Sequence, residues 1–312
     1  MTHNTKKSPY IDDFCQEFLD GIKGERAPDT YNTYRDNLQK FLNNFTGKKL
    51  NKINTKELDF FISELQVTRN CQKVTASNRS KNLMRSTLRT LFTYAVSWGY
   101  LDESPMEKSK RCKENSRGTR TITEEELRMV LKEANPLQEN YIKILLCTGA
   151  RAKSLRSLKF SDIDWDGNVI RIENKGSDPY SIPMNSDLRS ILENLVDNIP
   201  NPKFGSDKGS DMPRYIPRTD AQKVFIFCHR DGSPYKKGFD SVRRLYRRLG
   251  IKNVALHGLR KSFCTNALRN GAAIETVQKL GGWKSPVMPL KIYAHVGSDQ
   301  LRDAVNNLPS LS

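Results

Sequence analysis

No uninterrupted apolar stretch in the sequence approaches the roughly 20 residues that a membrane-spanning helix requires. The N-terminus, MTHNTKKSPY, also lacks the apolar core of a secretory signal. These two absences argue against a membrane-embedded or exported chain and predict a soluble, cytoplasmic protein. Cysteine is sparse and scattered. Cys15, Cys71, Cys112, Cys147, Cys228 and Cys264 include no CxxC pair, and Cys228-His229 is their one Cys/His neighbour pair. That spacing favours reduced structural thiols over a metal site. Histidine is scarcer still, with four in the chain. Acidic side chains are in deficit as well: 35 Asp and Glu face 52 Lys and Arg, which leaves +17 on 312 residues and an isoelectric point near 9.6. Residues 1–118 carry +7 of this and the remainder +10, so the surplus is not one basic tail. Such a balance is the footprint of a nucleic-acid or anionic-membrane partner. At this length, with 37% hydrophobic residues, the chain can bury two cores.

Residues about 8–23, 28–45, 55–67 and 75–99 have helical period, with no strand signal between them. Asn54 followed by Glu57 resembles a capping box and leads into an apolar face of Leu58, Phe61 and Leu65. The fourth segment puts Leu88, Leu91, Ala95 and Trp98 on one side and Lys81, Arg85 and Arg89 at i, i+4, i+8 on another. In a chain this basic, the cationic stripe is expected to bind DNA through its phosphates. Ser104-Pro105 closes the helical pattern, and MEKSKRCKENSRGTR after it reads as a basic interdomain linker. Thr123 with Glu126 forms a second capping box, starting a helix to about 134 that precedes another at about 138–147. Asn168–Asn174 and Tyr180–Met184 then read as strands joined by Lys175-Gly176-Ser177-Asp178-Pro179, a turn from which Lys175 can reach out of the sheet. Residues about 199–222 form a polar surface loop, Val224–Phe227 one more short strand, and helices resume from about 238. The fold class expected is mostly α with a small β-sheet.

Several polar residues of the second half have the chemistry to act on a phosphodiester. Tyr293 is a phenol able to form a covalent intermediate and leave again. Its ordinary pKa near 10 calls for cationic neighbours. Arg151 and Arg260 supply that field, each able to fork onto two phosphate oxygens. His257 can donate to a phosphate oxygen or carry a proton, Lys175 can protonate a departing 5′ oxygen, and Trp283 offers an indole N–H. Taken singly, each residue has an equally good structural reading: a core aromatic, a turn tryptophan, a solvated lysine, a helix-terminal arginine.

Their order and spacing resemble the tyrosine recombinase (phage integrase) family over nearly the whole chain. The matching blocks are TGARAKSLRSLKFSDID at 148–164, the hairpin lysine in ENKGSDPYSIPM, HGLRKSF at 257–263, and LGGWKS followed by YAHV at 280–296. The helical N-terminal segment ending in Ser104-Pro105 is similar to the family's core-binding domain. The resemblance implies an all-α SAM-like core-binding domain over 1–106, a linker over 107–120, an α+β catalytic domain over 121–296, and a tail over 297–312 for protomer contacts. In that tail Leu301, Val305 and Leu308 fall at helical spacing. It implies a clamp around duplex DNA bearing inverted-repeat sites, with free monomers assembling as a tetramer on the DNA. Arg151, Lys175, His257, Arg260, Trp283 and Tyr293 would be the catalytic set, with Tyr293 forming a 3′-phosphotyrosyl bond and a Holliday junction as intermediate. The exchange is isoenergetic, so no cofactor and no metal is expected. With a first helix near residue 8, the pattern is that of a minimal recombinase encoded by a prokaryotic cell, a phage or a mobile element.

Three departures from the family pattern stand out. Ser154 occupies a position shortly after Arg151 where an acidic residue is usual, Trp283 stands where many members have histidine, and Tyr293 comes ten positions after Trp283 where nine is usual. Pro286 and Pro289 fall inside that gap and are expected to shorten or kink the helix carrying Tyr293. Two other classes use the same features: a type IB topoisomerase-like enzyme, and a catalytically silent DNA-binding accessory protein.

Overall fold

The computed structural model describes residues 8–293 except 70, 115–118, 175–177, 202–203, 205–211 and 236–238. Lys175 and the tail at 297–312 lie outside the described residues, and Tyr293 is described by its backbone alone. The chain forms two compact units, Met1–Ser116 and Arg117–Ser312.

In the first unit, helices α1 (Ile11–Ile22), α2 (Pro28–Phe45), α3 (Thr55–Ser63) and α4 (Asn78–Ser97) enclose a core that includes Phe14, Phe18, Phe41, Leu88 and Phe92. Each helix begins where its sequence supplies a start. Pro28 opens α2 with its preset φ, Asn54 accepts from the Glu57 amide, and Ser77 accepts from the Ser80 amide. One buried polar pair, Asn37 Nδ2 donating to Thr87 Oγ1 at 2.9 Å, joins α2 to α4.

Three expectations for this unit need correction. Strands do interrupt the helices: α3 stops at Ser63, and β1 (Gln66–Arg69) pairs antiparallel with β2 (Gln72–Thr75), Val67 opposite Val74. The hairpin turns through Cys71 at φ 62, and its β-branched Val-Thr repeats are too short to compete visibly with the flanking helical period. The arginine stripe on α4 is not a free cationic face. Arg85 is buried, donating from Nε to Ser109 Oγ at 2.8 Å and pairing with Asp59 at 3.5 Å. Arg89 is exposed but gives its Nη2 to the carbonyls of Met106 and Ser109, and Lys81 donates to the Ser63 carbonyl. For the same reason the first part of the basic segment is no loose linker. Met106 and Ser109 are buried, and Asn82 and Asn78 donate to the carbonyls of Cys112 and Lys113, so the backbone as far as 114 is strapped onto α4. Helical periodicity identified the cationic side of α4 without revealing that the chain itself folds back to cover it.

The second unit places α5 (Glu124–Glu133) and α6 (Pro136–Thr148) before the short α7 (Ala152–Arg156). The antiparallel sheet β3 (Ile163–Asp164), β4 (Val169–Ile172) and β5 (Tyr180–Pro183) follows, in that strand order, with Ile170 opposite Ile182. Ile170, Ile172 and Ile182 turn inward to the core while Arg171 points out, the period-2 pattern of a half-buried hairpin. Helices α8 (Ser186–Asp197), α9 (Asp240–Arg248), α10 (Leu256–Arg269), α11 (Ile274–Leu280) and α12 (Val287–Tyr293) complete the unit. Two further readings change here. The polar loop at 199–222 contains a β-pair, β6 (Asn198–Pro200) with β7 (Tyr215–Pro217). Val224–Phe227 is not a strand: it makes the single bridge Lys159↔Phe225, with Ile226 and Phe227 buried. Strand propensity alone cannot supply a partner longer than one residue pair.

The entry to this unit is tied to α10, which carries two of the candidate catalytic residues. Ser262 Oγ accepts from the Ile122 amide at 3.2 Å, Lys261 Nζ donates to the Thr119 carbonyl, and Arg120 N–H bonds to the Asn253 carbonyl. Arg120 then forks onto Glu126, the reciprocal partner of Thr123 in a capping box. The Arg120 guanidinium, opposed by partial burial and helped by the Thr123 amide, brings the Glu126 carboxyl from its usual 4.5 down to about 2. A depressed carboxylate stabilises the fold above its unfolded value, and that contribution is lost as pH falls from about 4.5 through about 2. Urea unfolding of Glu126→Gln between pH 6 and pH 2.5 is expected to show a shallower acid loss than the parent; identical curves would contradict this.

Candidate active site

The site is built where α6 ends. Gly149 caps α6 in the left-handed region at φ 58, which favours glycine, and an added Cβ would lie 2.3 Å from the Phe263 ring. The chain turns through Ala150 and restarts as α7 with Arg151 as its N-cap residue. The Tyr141 hydroxyl, buried within α6, donates to the Ala152 carbonyl at 3.0 Å and fixes the backbone that presents Arg151.

Arg260 arises one turn into α10 and is 2% exposed, among the largest fully buried side chains of the protein. Its Nη1 donates to the Gly149 carbonyl and its Nη2 to the Gly281 carbonyl at 2.6 Å. Gly149 is the C-cap of α6 and Gly281 the C-cap of α11, so two helix C-termini with their negative partial charge converge on one guanidinium. Trp283 lies against it, its ring centroid 4.1 Å from the guanidinium carbon. Among the described residues neither Arg260 nor Arg151 forms an ion pair with a carboxylate. Burial of an incompletely neutralised cation costs several kcal/mol. The pocket is therefore electropositive by construction.

His257 stands one turn before Arg260 on α10, exposed at the protein surface yet close enough to feel three cations. Local desolvation first, then Arg260, Lys261 and Arg151, hold it below the usual histidine value of 6.5. Arg151 and Arg260 also flank Tyr180, whose buried hydroxyl makes no hydrogen bond of standard geometry among the described residues. Burial raises this phenol, and the two guanidiniums oppose the rise.

The glycine turn before Trp283 gives the other wall. Gly282 takes φ 58, and a Cβ there would meet the Tyr180 ring at 2.4 Å and Asn174 Nδ2 at 2.8 Å. Beyond it Pro286 precedes α12, and Pro289 lies in its first turn, where an amide lacks an intrahelical acceptor anyway. The prolines thus set where α12 starts, and Tyr293 is the last of its described residues. Helix α12 packs on α10. Arg151, His257, Arg260 and Trp283 are brought together. Sequence reasoning missed Asn174, Tyr180 and the two glycine carbonyls. Asn174 borders the hairpin lysine it did mark, whereas carbonyls have no sequence signature.

Comparison with known proteins places the chain in a family and a fold. Residues 120–299 match the model of the phage integrase family, and residues 15–99 match the phage integrase N-terminal SAM-like domain. The chain belongs to the phage integrase family. A tyrosine recombinase of Thermosipho africanus is 27% identical, covering 96% of this chain and all of the relative. The tyrosine recombinase XerC of Oceanobacillus iheyensis is 25% identical over 95% and 94% of the two chains. Among solved structures, the Tn1549 transposon integrase in complex with a circular intermediate DNA shares the fold at a TM-score of 0.68 and 18% identity, covering 95% of this chain and 99% of that one. A lambda integrase tetramer bound to a Holliday junction does so at 0.68 and 18%, covering 95% and 81%. The mostly helical fold with small sheets and a SAM-like N-terminal domain is the integrase fold.

Two outcomes follow from the pocket. Gly149→Ala combines a left-handed non-glycine residue with overpacking against Phe263 and is expected to cost about 2–4 kcal/mol in chemical denaturation; a loss under about 0.5 kcal/mol would contradict that geometry. His257, followed by NMR in the free protein, is expected to titrate below 6.5. Its neutral form then favours the fold, and that contribution fades as pH drops below 6.5 because the unfolded chain takes up the proton first. A midpoint above 6.5 would contradict the cationic surroundings described.

Proposed function

We infer that this integrase-family enzyme is a site-specific DNA recombinase that cuts and rejoins duplex DNA through a 3′-phosphotyrosyl intermediate. The observation that carries the reading is the buried Arg260 guanidinium, held by carbonyls, uncompensated by any described carboxylate and set beside Arg151. Such a site gains most from a bound anion with several oxygens, and a phosphodiester is the anion a chain of net charge +17 meets along DNA.

In the proposed reaction Arg151 and Arg260 take the non-bridging oxygens of the scissile phosphate. Both become more favourable as charge builds on those oxygens in the transition state. The Tyr293 oxygen attacks phosphorus, a P–O bond to tyrosine forms, and the bond to the 5′ oxygen breaks. The phenolic proton is lost to a neighbouring base, for which neutral His257 is suited, and Lys175 protonates the departing 5′ oxygen. Trp283 packs the Arg260 face and offers its indole N–H to the phosphate. A 5′-hydroxyl from a second duplex then attacks the phosphotyrosine, returns its proton and releases Tyr293. One phosphodiester is exchanged for another, so no net bond energy is required.

Two such exchanges pass through a Holliday junction and need four copies of the chain on paired inverted-repeat sites. The relatives' names and the DNA-bound integrases of like fold support this assembly. Bacterial relatives also support a cytoplasmic place of action.

The test uses a nicked suicide duplex carrying a site selected by the full chain from a random inverted-repeat pool. The wild type is expected to become covalently attached and Tyr293→Phe to give no adduct. Arg151→Ala and Arg260→Ala are expected to slow attachment about 100-fold or more, the scale for loss of a preorganised charge donor. Adduct formation by Tyr293→Phe, or a wild type that binds the site without ever attaching, would overturn the reading.

A further inference from the structure

We propose that Asn174 is the positioning residue of Arg151, a neutral amide oxygen that sets the direction of this guanidinium in the pocket. The inference rests on the recombinase reading for its assay but on independent geometry for its substance. Asn174 is 7% exposed, just beyond the end of β4, and its Oδ1 accepts from Arg151 Nη1. No described carboxylate approaches Arg151. The residue one turn beyond it is Ser154, which has no acidic group to offer. The remaining polar atom of Asn174, Nδ2, is buried without a partner among the described residues and abuts Gly282.

That orphan amide is informative. A buried unpaired donor is costly, and flipping the carboxamide would turn Nδ2 onto the guanidinium donor and leave Arg151 with no acceptor. The orientation is therefore dictated by Arg151, and the cost falls on the side facing the glycine turn. Gly282 is what permits it, because any side chain at 282 would drive into Asn174 and the Tyr180 ring. One contiguous stack thus runs from Arg151 through Asn174 to Gly282, Gly281 and Arg260, registering the two guanidiniums against each other. Because an amide carries no charge, it aims Arg151 without neutralising the field a phosphate needs. It also does not titrate, so this alignment is independent of pH.

The experiment compares Asn174→Leu, which keeps volume but removes the acceptor, with Asn174→Asp, which keeps an acceptor, in the full chain on the same nicked duplex. Asn174→Leu is expected to attach at least about tenfold more slowly, as misalignment of a phosphate ligand does, with site affinity within about twofold of wild type. Asn174→Asp is expected to recover attachment to a rate above that of the leucine variant. In an Arg151→Lys background, which cannot use the amide in the same way, the leucine substitution is expected to add less than a further twofold loss. Should Asn174→Leu melt below the assay temperature, Asn174→Ala replaces it in the same comparison. Wild-type rates in the acceptor-free variant, equal losses for Leu and Asp, or fully multiplicative losses with Arg151→Lys would each overturn the proposal. A wild type that binds but never attaches would instead count against the recombinase reading itself.

Discussion

A guanidinium with almost no solvent and, among the described residues, no carboxylate is the constraint on which the second unit depends. Among the described residues Arg260 is accommodated by dipoles rather than by charge pairing: the C-terminal carbonyls of α6 and α11 and the face of Trp283. This fixes the ends of two helices and the start of the segment leading to α12. It also explains the glycines. Gly149 and Gly282 both adopt positive φ at points where a Cβ would strike a ring, and Gly281 offers its carbonyl from between them. Dipoles soften a buried charge without cancelling it, which leaves a site of standing positive potential whose natural complement is a phosphate.

Around that centre, positions of reacting groups follow from rigid parts. His257 and Arg260 share α10, and α10 is laced to residues 119–122 by Ser262, Lys261 and the close approach of Gly258 to the Arg120 carbonyl. Arg151 is set by a buried tyrosine behind it and a buried asparagine beside it. The uncharged character of both supports means that the field of the pocket is not diluted by the groups that shape it.

Much of this was legible in the sequence where a local rule acts alone. The Thr123–Glu126 capping box and the alternating Ile170–Ile172 strand paired with Ile182 both behave as their chemistry dictates. The order Arg151, His257, Arg260, Trp283 was legible only through the resemblance to the recombinase family, since each of these residues taken singly has a structural reading as good. What failed to show were relations between distant segments. The stripe Lys81, Arg85, Arg89 has the right period for a solvent face, but Ser109, Met106 and Asp59 arrive from elsewhere to occupy it. Val224–Phe227 has strand-forming residues without a neighbour long enough to pair with. The β1–β2 hairpin is masked by helical period on both sides. Asn174 and the glycine carbonyls gain their meaning from what they touch, which no spacing encodes.

The central claim is that the Arg260 pocket is built to receive a phosphate, and it can be measured without knowing the DNA site. Titrating the full chain with inorganic phosphate at constant ionic strength, while following the indole ¹⁵N resonance of Trp283 by NMR, reads the pocket directly. The account predicts a saturable shift of that resonance, abolished by Arg260→Ala in a chain that remains folded. An unmoved Trp283 resonance, or an equal shift in folded Arg260→Ala, would contradict it.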